Sequence, residues 1–144
     1  SHRKSISSWI EHQGLISKMP QPIDLDVEIR PWNLTAEFIA NLKGIICINL
    51  IHISPWSCTE ALIEESSNLL GKEELLMLYG PFKMNGSHIS KSNIFFDQSL
   101  KDQNLTWGVR DLEQVTKLAI RNRFRVVDII LMPANNHSVI FRKI

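Results

Sequence analysis

Apolar positions recur along this chain with two periods, and the points where one gives way to the other divide it into alternating helices and strands. Near the start, Ile6, Trp9 and Ile10 lie at helical spacing and the run stops at Gly14, a residue suited to a left-handed cap, which predicts an opening helix. Pro22 to Val27 then alternates apolar with acidic residues, the pattern of a short strand ending on a carboxylate. Phe38, Ile39 and Leu42 share one face of a short helix before Gly44. From Gly44 to Ile53 the chain is almost continuously apolar and β-branched, which predicts a central strand covered on both faces.

Ser57-Cys58-Thr59-Glu60 has the spacing of a capping box, so a helix is predicted to open there and run to about Leu70, with Gly71 ending it. Leu75 to Tyr79 reads as a second buried strand, halted by Gly80-Pro81 because proline cannot donate to a ladder. Asn85-Gly86 signals a turn, and a short helix is predicted around Ile94 to Leu100. Asp111 to Gln114 repeats the capping logic, and Leu112, Val115, Leu118 and Ala119 form the apolar stripe of a helix ending near Asn122. The runs Val126 to Met132 and Ser138 to Ile144 flank Pro133-Ala134-Asn135-Asn136, which predicts an antiparallel pair. Strands alternating with capped helices and closing on a hairpin give an α/β class, with one reversed strand at the sheet edge. With neither an internal repeat nor a low-complexity segment, residues 1–144 read as a single domain.

Composition narrows the partners. With 44% hydrophobic and 22% charged residues the chain has an ordinary globular balance. Its formal net charge of +1, from 16 basic and 15 acidic residues, gives no surplus to attract a nucleic acid, and no membrane partner is expected either. Cys47 and Cys58 sit in or beside apolar segments without CxxC spacing or clustered histidines, so buried free thiols are favoured over a disulfide or a metal site, in keeping with a cytoplasmic setting. The apolar run from Ile45 to Ile53 is too short to span a bilayer, and the first residues do not have a signal-peptide pattern. Arg121, Arg123 and Arg125 alternate on entry to a strand and read as a solvated face.

Four stretches in a fixed order carry more specific information: Cys47 to Trp56 (CINLIHISPW), Tyr79 to Lys83 (YGPFK), Trp107 to Asp111 (WGVRD) and Met132 to Asn136 (MPANN). Together they resemble the methyltransferase-like protein 26 family, proteins of the class I S-adenosylmethionine-dependent methyltransferase fold, over nearly the whole chain from Ser5 to Lys143. The resemblance implies a Rossmann-like seven-stranded sheet of which this chain supplies strands three to seven, the C-terminal part of the fold, ending in an antiparallel hairpin. It implies S-adenosylmethionine as cofactor, lying across the carboxyl ends of the strands where strand order reverses. The family's first strand with its glycine-rich loop, and the acidic residue after its second strand, have no counterpart among these residues. The expectation is therefore a truncated form with weak or no cofactor affinity of its own. The strand from Gly44 would then expose an open apolar edge, covered by a homo-oligomer or another chain.

The resemblance also implies roles for particular residues. Asp26, just past the third strand, would accept from the adenine amino group while Val27 packs on the ring; the plainer reading of Asp26 is a solvated turn. Asn49 and Leu50 would lie beside the methionine part of the cofactor, with His52 near the methyl donor as a further cofactor-binding candidate. His52 is a candidate general base near neutral pH, or a core histidine bonded to backbone. Tyr79, Asn93, Arg110 and Asn135 are candidates for binding the methyl acceptor, an unknown small molecule or protein. Arg110 could clamp a carboxylate or pair with Asp111, and Asn135 could bind substrate or shape a turn. Trp56 and Trp107 could stack on a flat acceptor or close the core. No catalytic residue is singled out. A methyltransferase is the favoured reading; a non-catalytic binding or scaffold protein is the alternative, and a nicotinamide enzyme is disfavoured by the absence of G-x-G-x-x-G.

Overall fold

The computed structural model describes residues 2–144. Its main sheet has four strands in the order β1-β2-β7-β6, formed by Gly44–Ile48 (β1), Leu75–Gly80 (β2), Asn136–Lys143 (β7) and Phe124–Met132 (β6). β1 and β2 are parallel, with Gly44 opposite Leu75 and Ile48 opposite Tyr79, and helix α3 (Trp56–Leu69) makes the crossover between them. β7 runs antiparallel to both β2 and β6. A smaller sheet has the order β4-β3-β5, from Ser87–His88 (β4), Phe82–Met84 (β3) and Arg110–Asp111 (β5). The α/β class and the closing antiparallel hairpin are as the sequence pattern predicts.

The core follows from the alternation of the strands. Leu76 and Leu78 of β2, Val139 and Phe141 of β7 and Phe124 of β6 are almost fully buried. They share one cluster with Leu62 and Ile63 of α3 and with Leu112, Val115 and Ala119 of α5 (Leu112–Arg121). The rings of Phe124 and Phe141 meet edge to face at 6.5 Å, an arrangement favoured by the aromatic quadrupole. The opposite face of the sheet is bare: Ile46 and Ile48 are 67% and 60% exposed. The sheet is therefore covered on one side, and β1 is an edge.

Several expectations are corrected. The segment from Pro22 to Val27 forms no strand; Asp26 opens a turn in which its carbonyl accepts from Ile29 N and its carboxylate accepts from Glu28 N at 3.0 Å. An Asx turn satisfies those amides locally, so no partner strand is needed. The strand from Gly44 stops at Ile48 because Asn49 takes a left-handed φ of 54°, and it lies at the edge rather than the centre. The reversed strand β7 lies inside the sheet, not at its edge. Helix α3 begins at Trp56 with Pro55 as N-cap and no side-chain cap, so the Ser57 capping box does not form. Proline supplies the required φ at the helix entry without a hydroxyl.

Other local signals hold. Asn85 and Gly86, at φ 50° and 74°, make the two-residue turn of the β3–β4 hairpin, the conformation an Asn-Gly pair favours. Asp111 caps α5 by accepting from Gln114 N. Ser90 caps α4 (Lys91–Gln103), accepting from Asn93 N at 3.1 Å, and makes that helix longer than its apolar stripe predicts. Cys47 and Cys58 are buried free thiols. No helix among the described residues is long and apolar enough to cross a membrane.

Candidate functional site

A cavity of about 570 Å³ opens at the carboxyl ends of the parallel pair β1 and β2, walled by the loop after β1, the start of α4 and the β6–β7 turn. Asn49, exposed at the end of β1, lines it. The left-handed turn at this residue ends the strand while its backbone N still donates to Tyr79 O at 2.9 Å, so its side chain is set just past the last rung of the ladder. That side chain lies beside Gly80, where a Cβ would be a tight fit at 3.1 Å from His52 Cε1 and Nδ1. A glycine there lets the imidazole lie against the backbone.

His52 is 3% exposed, and its ring meets Phe96 edge to face at 5.6 Å. Its carbonyl accepts from Gly108 N at 3.0 Å. Arg110 fixes the loop that carries it: Nε donates to Ile51 O at 2.9 Å and Nη2 donates to Ser54 O and Thr106 O at 2.5 and 2.9 Å, with the guanidinium 5.9 Å from the Trp56 ring. Burial, reinforced by the Arg110 charge, pulls His52 down from its ordinary value to about 4, so the ring is neutral at physiological pH. Of the general base and the core histidine that the sequence offered, a buried neutral ring favours the core histidine. Its Nδ1 is buried without a hydrogen-bond partner, which leaves Nε2 as the nitrogen available to the cavity.

The far wall is a seam of amides. Asn93 Nδ2 donates to Asn135 O and Asn135 Nδ2 donates to Ser92 Oγ, each at 3.2 Å, tying the start of α4 to the β6–β7 turn. Ala134 and Asn135 both hold φ of 58°, which presents the turn's backbone to the mouth of the cavity. Directly after Phe96, the buried Asp97 anchors α4 from behind. It accepts from Val109 N and Lys101 Nζ at 2.7 Å each and from His88 Nε2 at 3.1 Å, with Lys83 at 3.8 Å. Burial pushes its carboxyl pKa up, but the bonds from Lys101 and Val109 and the charge of Lys83 outweigh that and hold it below the ordinary value.

Of the residues the sequence singled out, Asn49, His52, Asn93 and Asn135 converge on this cavity. The rest do not line it. Leu50 packs against the core, and Tyr79 sits on β2 beside Ile48 on the uncovered face. Arg110 makes neither a pair with Asp111 nor an open clamp, because backbone carbonyls take three of its donor bonds. Asp26 is exposed and Val27 is half-buried, its carbonyl accepting from Trp32 Nε1 at 3.1 Å, in a loop whose acidic residues face Cys58 at the start of α3. Trp56 packs against the core cluster, and neither it nor Trp107 lines the cavity. The wall also includes Ile53, Pro81, Ser92, Phe96, Ala134 and Asn136. Phe96 was findable, because it lies three residues from Asn93 and so shares its helical face.

A match to the family described as "Protein of unknown function (DUF938)" spans residues 1–143. The chain belongs to the DUF938 family. Several solved structures share the fold of this DUF938 chain. An O-methyltransferase family 2 protein from Planctomyces limnophilus DSM 3776, in complex with apigenin, superposes with a TM-score of 0.76 at 16% identity, covering 98% of this chain and 39% of its own. The O-methyltransferase NcsB1 from neocarzinostatin biosynthesis, in complex with S-adenosylmethionine and 2-hydroxy-5-methyl naphthoic acid, gives 0.71 at 13% identity, covering 99% and 38%. A protein described as a pericyclic reaction enzyme gives 0.65 at 11% identity, covering 92% and 34%. The DUF938 chain spans well under half the length of the solved chains it matches, and at these identities the likeness is one of fold, the methyltransferase fold.

Proposed function

We propose that this DUF938 protein is the acceptor-side part of an S-adenosylmethionine-dependent methyltransferase of the methyltransferase-like protein 26 kind, and that the cavity between Asn49, His52, Asn93 and Asn135 holds the methyl acceptor. The observation that carries this reading is the place of the cavity. It opens at the carboxyl ends of a parallel pair in a sheet of the methyltransferase fold, which is where open α/β sheets bind ligands.

The residues present fit the cofactor in part. Asn49, set past the last rung of β1, stands where the methionine end would lie, and the exposed Asp26 carboxylate is offered from its turn for the adenine, while Val27 packs partly against the core. No glycine-rich turn stands beside the edge strand β1 among the described residues, so this chain alone is expected to hold the cofactor weakly or not at all. When bound, S-adenosylmethionine supplies the electrophilic methyl group. The work left to this chain is alignment and exclusion of water. The amide seam of Asn93 and Asn135 orients the acceptor, Phe96 and Ile53 cover it, and the Arg110 tether keeps the 51–54 loop in one position. Burial lowers the pKa of His52 to about 4, so it is assigned no proton-transfer role.

A second reading is favoured by the bare sheet face and the open β1 edge. There the protein is a non-catalytic module whose β1 edge pairs with a second copy or another chain. The two readings separate in a calorimetric titration of S-adenosylhomocysteine into the 144-residue chain and into a longer form that supplies the first strand and glycine-rich loop. Binding by the longer form, weakened by about 1–3 kcal/mol in Asp26→Ala, supports the enzyme. Absence of binding in both forms favours the module, and unchanged affinity in Asp26→Ala removes that residue from the site.

A further inference from the structure

We propose that the cavity selects an uncharged, flat ligand bearing an amide or lactam group, whose carbonyl accepts a hydrogen bond from His52 Nε2. The proposal rests on reading this cavity as the acceptor site, but it concerns only what the wall can recognise.

Among the described residues, no Asp, Glu, Lys or Arg lines the cavity. Arg110 approaches from outside with three hydrogen bonds already given to Ile51 O, Ser54 O and Thr106 O. The carboxylate of Asp97 is turned away into its bonds with Lys101, His88 and Val109. A carboxylate or ammonium entering the cavity would therefore meet no counter-charge in the wall, which favours uncharged ligands.

His52 sets the polarity of the contact. Its Nδ1 is buried without a partner against Gly80, and buried N–H groups without partners are rarer than buried acceptors in the same condition. The favoured tautomer leaves Nδ1 as a bare lone pair and carries the proton on Nε2, so the ring offers a donor. Asn49 adds an amide with no hydrogen-bond partner among the described residues, and Asn93, whose Nδ2 is already given to Asn135 O, adds its carbonyl oxygen. Donors and acceptors side by side match a group that both accepts and donates, as an amide does. Phe96, Ile53 and Pro81 supply the apolar walls for a ring, and 570 Å³ lies within the range of small-molecule sites.

The test needs no methyl donor. 2-Quinolone, a neutral bicyclic lactam, and 2-naphthoate, an anion of similar outline, are each titrated into the 144-residue chain at pH 7 and followed by NMR at Asn49, His52 and Phe96. 2-Quinolone is expected to bind at least tenfold more tightly than 2-naphthoate, with the free protein's ring nitrogens showing the proton on Nε2. His52→Leu, and Asn49→Gly, which keeps the left-handed backbone while removing the amide, are each expected to weaken 2-quinolone binding at least fivefold. Ile94→Ala, on the exposed side of α4, is expected to leave it unchanged. The inference is overturned by equal or tighter binding of 2-naphthoate, by a proton on Nδ1, by indifference of binding to both site variants, or by no 2-quinolone binding up to its solubility limit. If 2-quinolone binds as expected while a longer form takes no S-adenosylhomocysteine, the methyltransferase reading fails and this one stands.

Discussion

At the scale of single residues, His52 concentrates the physical argument, because burial holds its imidazole neutral and its loop is fixed by bonds made elsewhere. A folded pKa of about 4, below the ordinary value of 6.5, means that the unfolded chain takes up the proton first as pH falls. Stability is then intact at neutral pH and is lost as pH drops through 6.5 toward 4, by on the order of 2 kcal/mol once solvent screening at the cavity mouth is allowed for. His137, also lowered by burial, acts in the same direction. His52→Leu should flatten, without abolishing, the acid limb of a urea-denaturation series between pH 7 and 4; an unchanged limb would show that His52 is not buried neutral. Asn49, His52, Asn93 and Asn135 were legible in the sequence through the family resemblance, which pointed to strand ends and the segments that connect them. The role of Arg110 was not, because its partners are carbonyls of a loop more than fifty residues away in the chain, and periodicity says nothing about carbonyls.

At the scale of elements, one carboxylate anchors the back of α4, whose start is tied separately by the Asn93–Asn135 seam. Asp97 joins the β3–β4 hairpin through His88, the loop before β5 through Val109, and its own helix through Lys101. Gly108 fits because a Cβ there would fall 2.9 Å from Asp97 Oδ1. Asp97→Ala leaves Lys83 and Lys101 without their counter-charge and Val109 N without an acceptor, and should destabilise the protein by about 3–5 kcal/mol in chemical denaturation. Asp97→Asn keeps an acceptor for Val109 N and should cost clearly less; equal losses would mean that charge plays no part. The helices were most readable where cap and stripe coincide, as at Asp111 for α5, whereas the short helix Ala36–Asn41 was read from its stripe alone and its Thr35 cap was not. Where a cap was read alone, as at Ser57, a proline one step earlier set the helix start instead.

At the scale of the whole molecule, the decisive feature is a sheet with helices on one face and a first strand paired on one side only. The alternation in β1 aims Ile45 and Cys47 at the core and Ile46 and Ile48 at solvent, so the exposed side of the edge is apolar and uncharged. Such an edge favours association. Sedimentation velocity should show association that rises with concentration, and Ile46→Lys should suppress it at little cost in stability, since its side chain is 67% exposed. A concentration-independent monomer would mean that the edge is harmless as it stands. The sequence pattern placed the four strands of the main sheet and the final hairpin but not their neighbours or the smaller sheet: a continuous apolar run at Gly44 looks the same whether one face or both are covered. The alternation at Pro22 to Val27 misled for the same reason, since a strand needs a partner and a turn does not.

The central claim is that the loop after β1 faces the reacting end of a methyl donor. The most direct measurement is an NMR titration of S-adenosylhomocysteine into a form of the protein that includes the first strand and glycine-rich loop, read at the amides from Asn49 to Ile53. Saturable shifts at those amides, together with shifts at Asp26 and Val27, are the expected result. Saturation of the ligand site with those amides unmoved, or no saturable shift anywhere in the protein, would contradict the account.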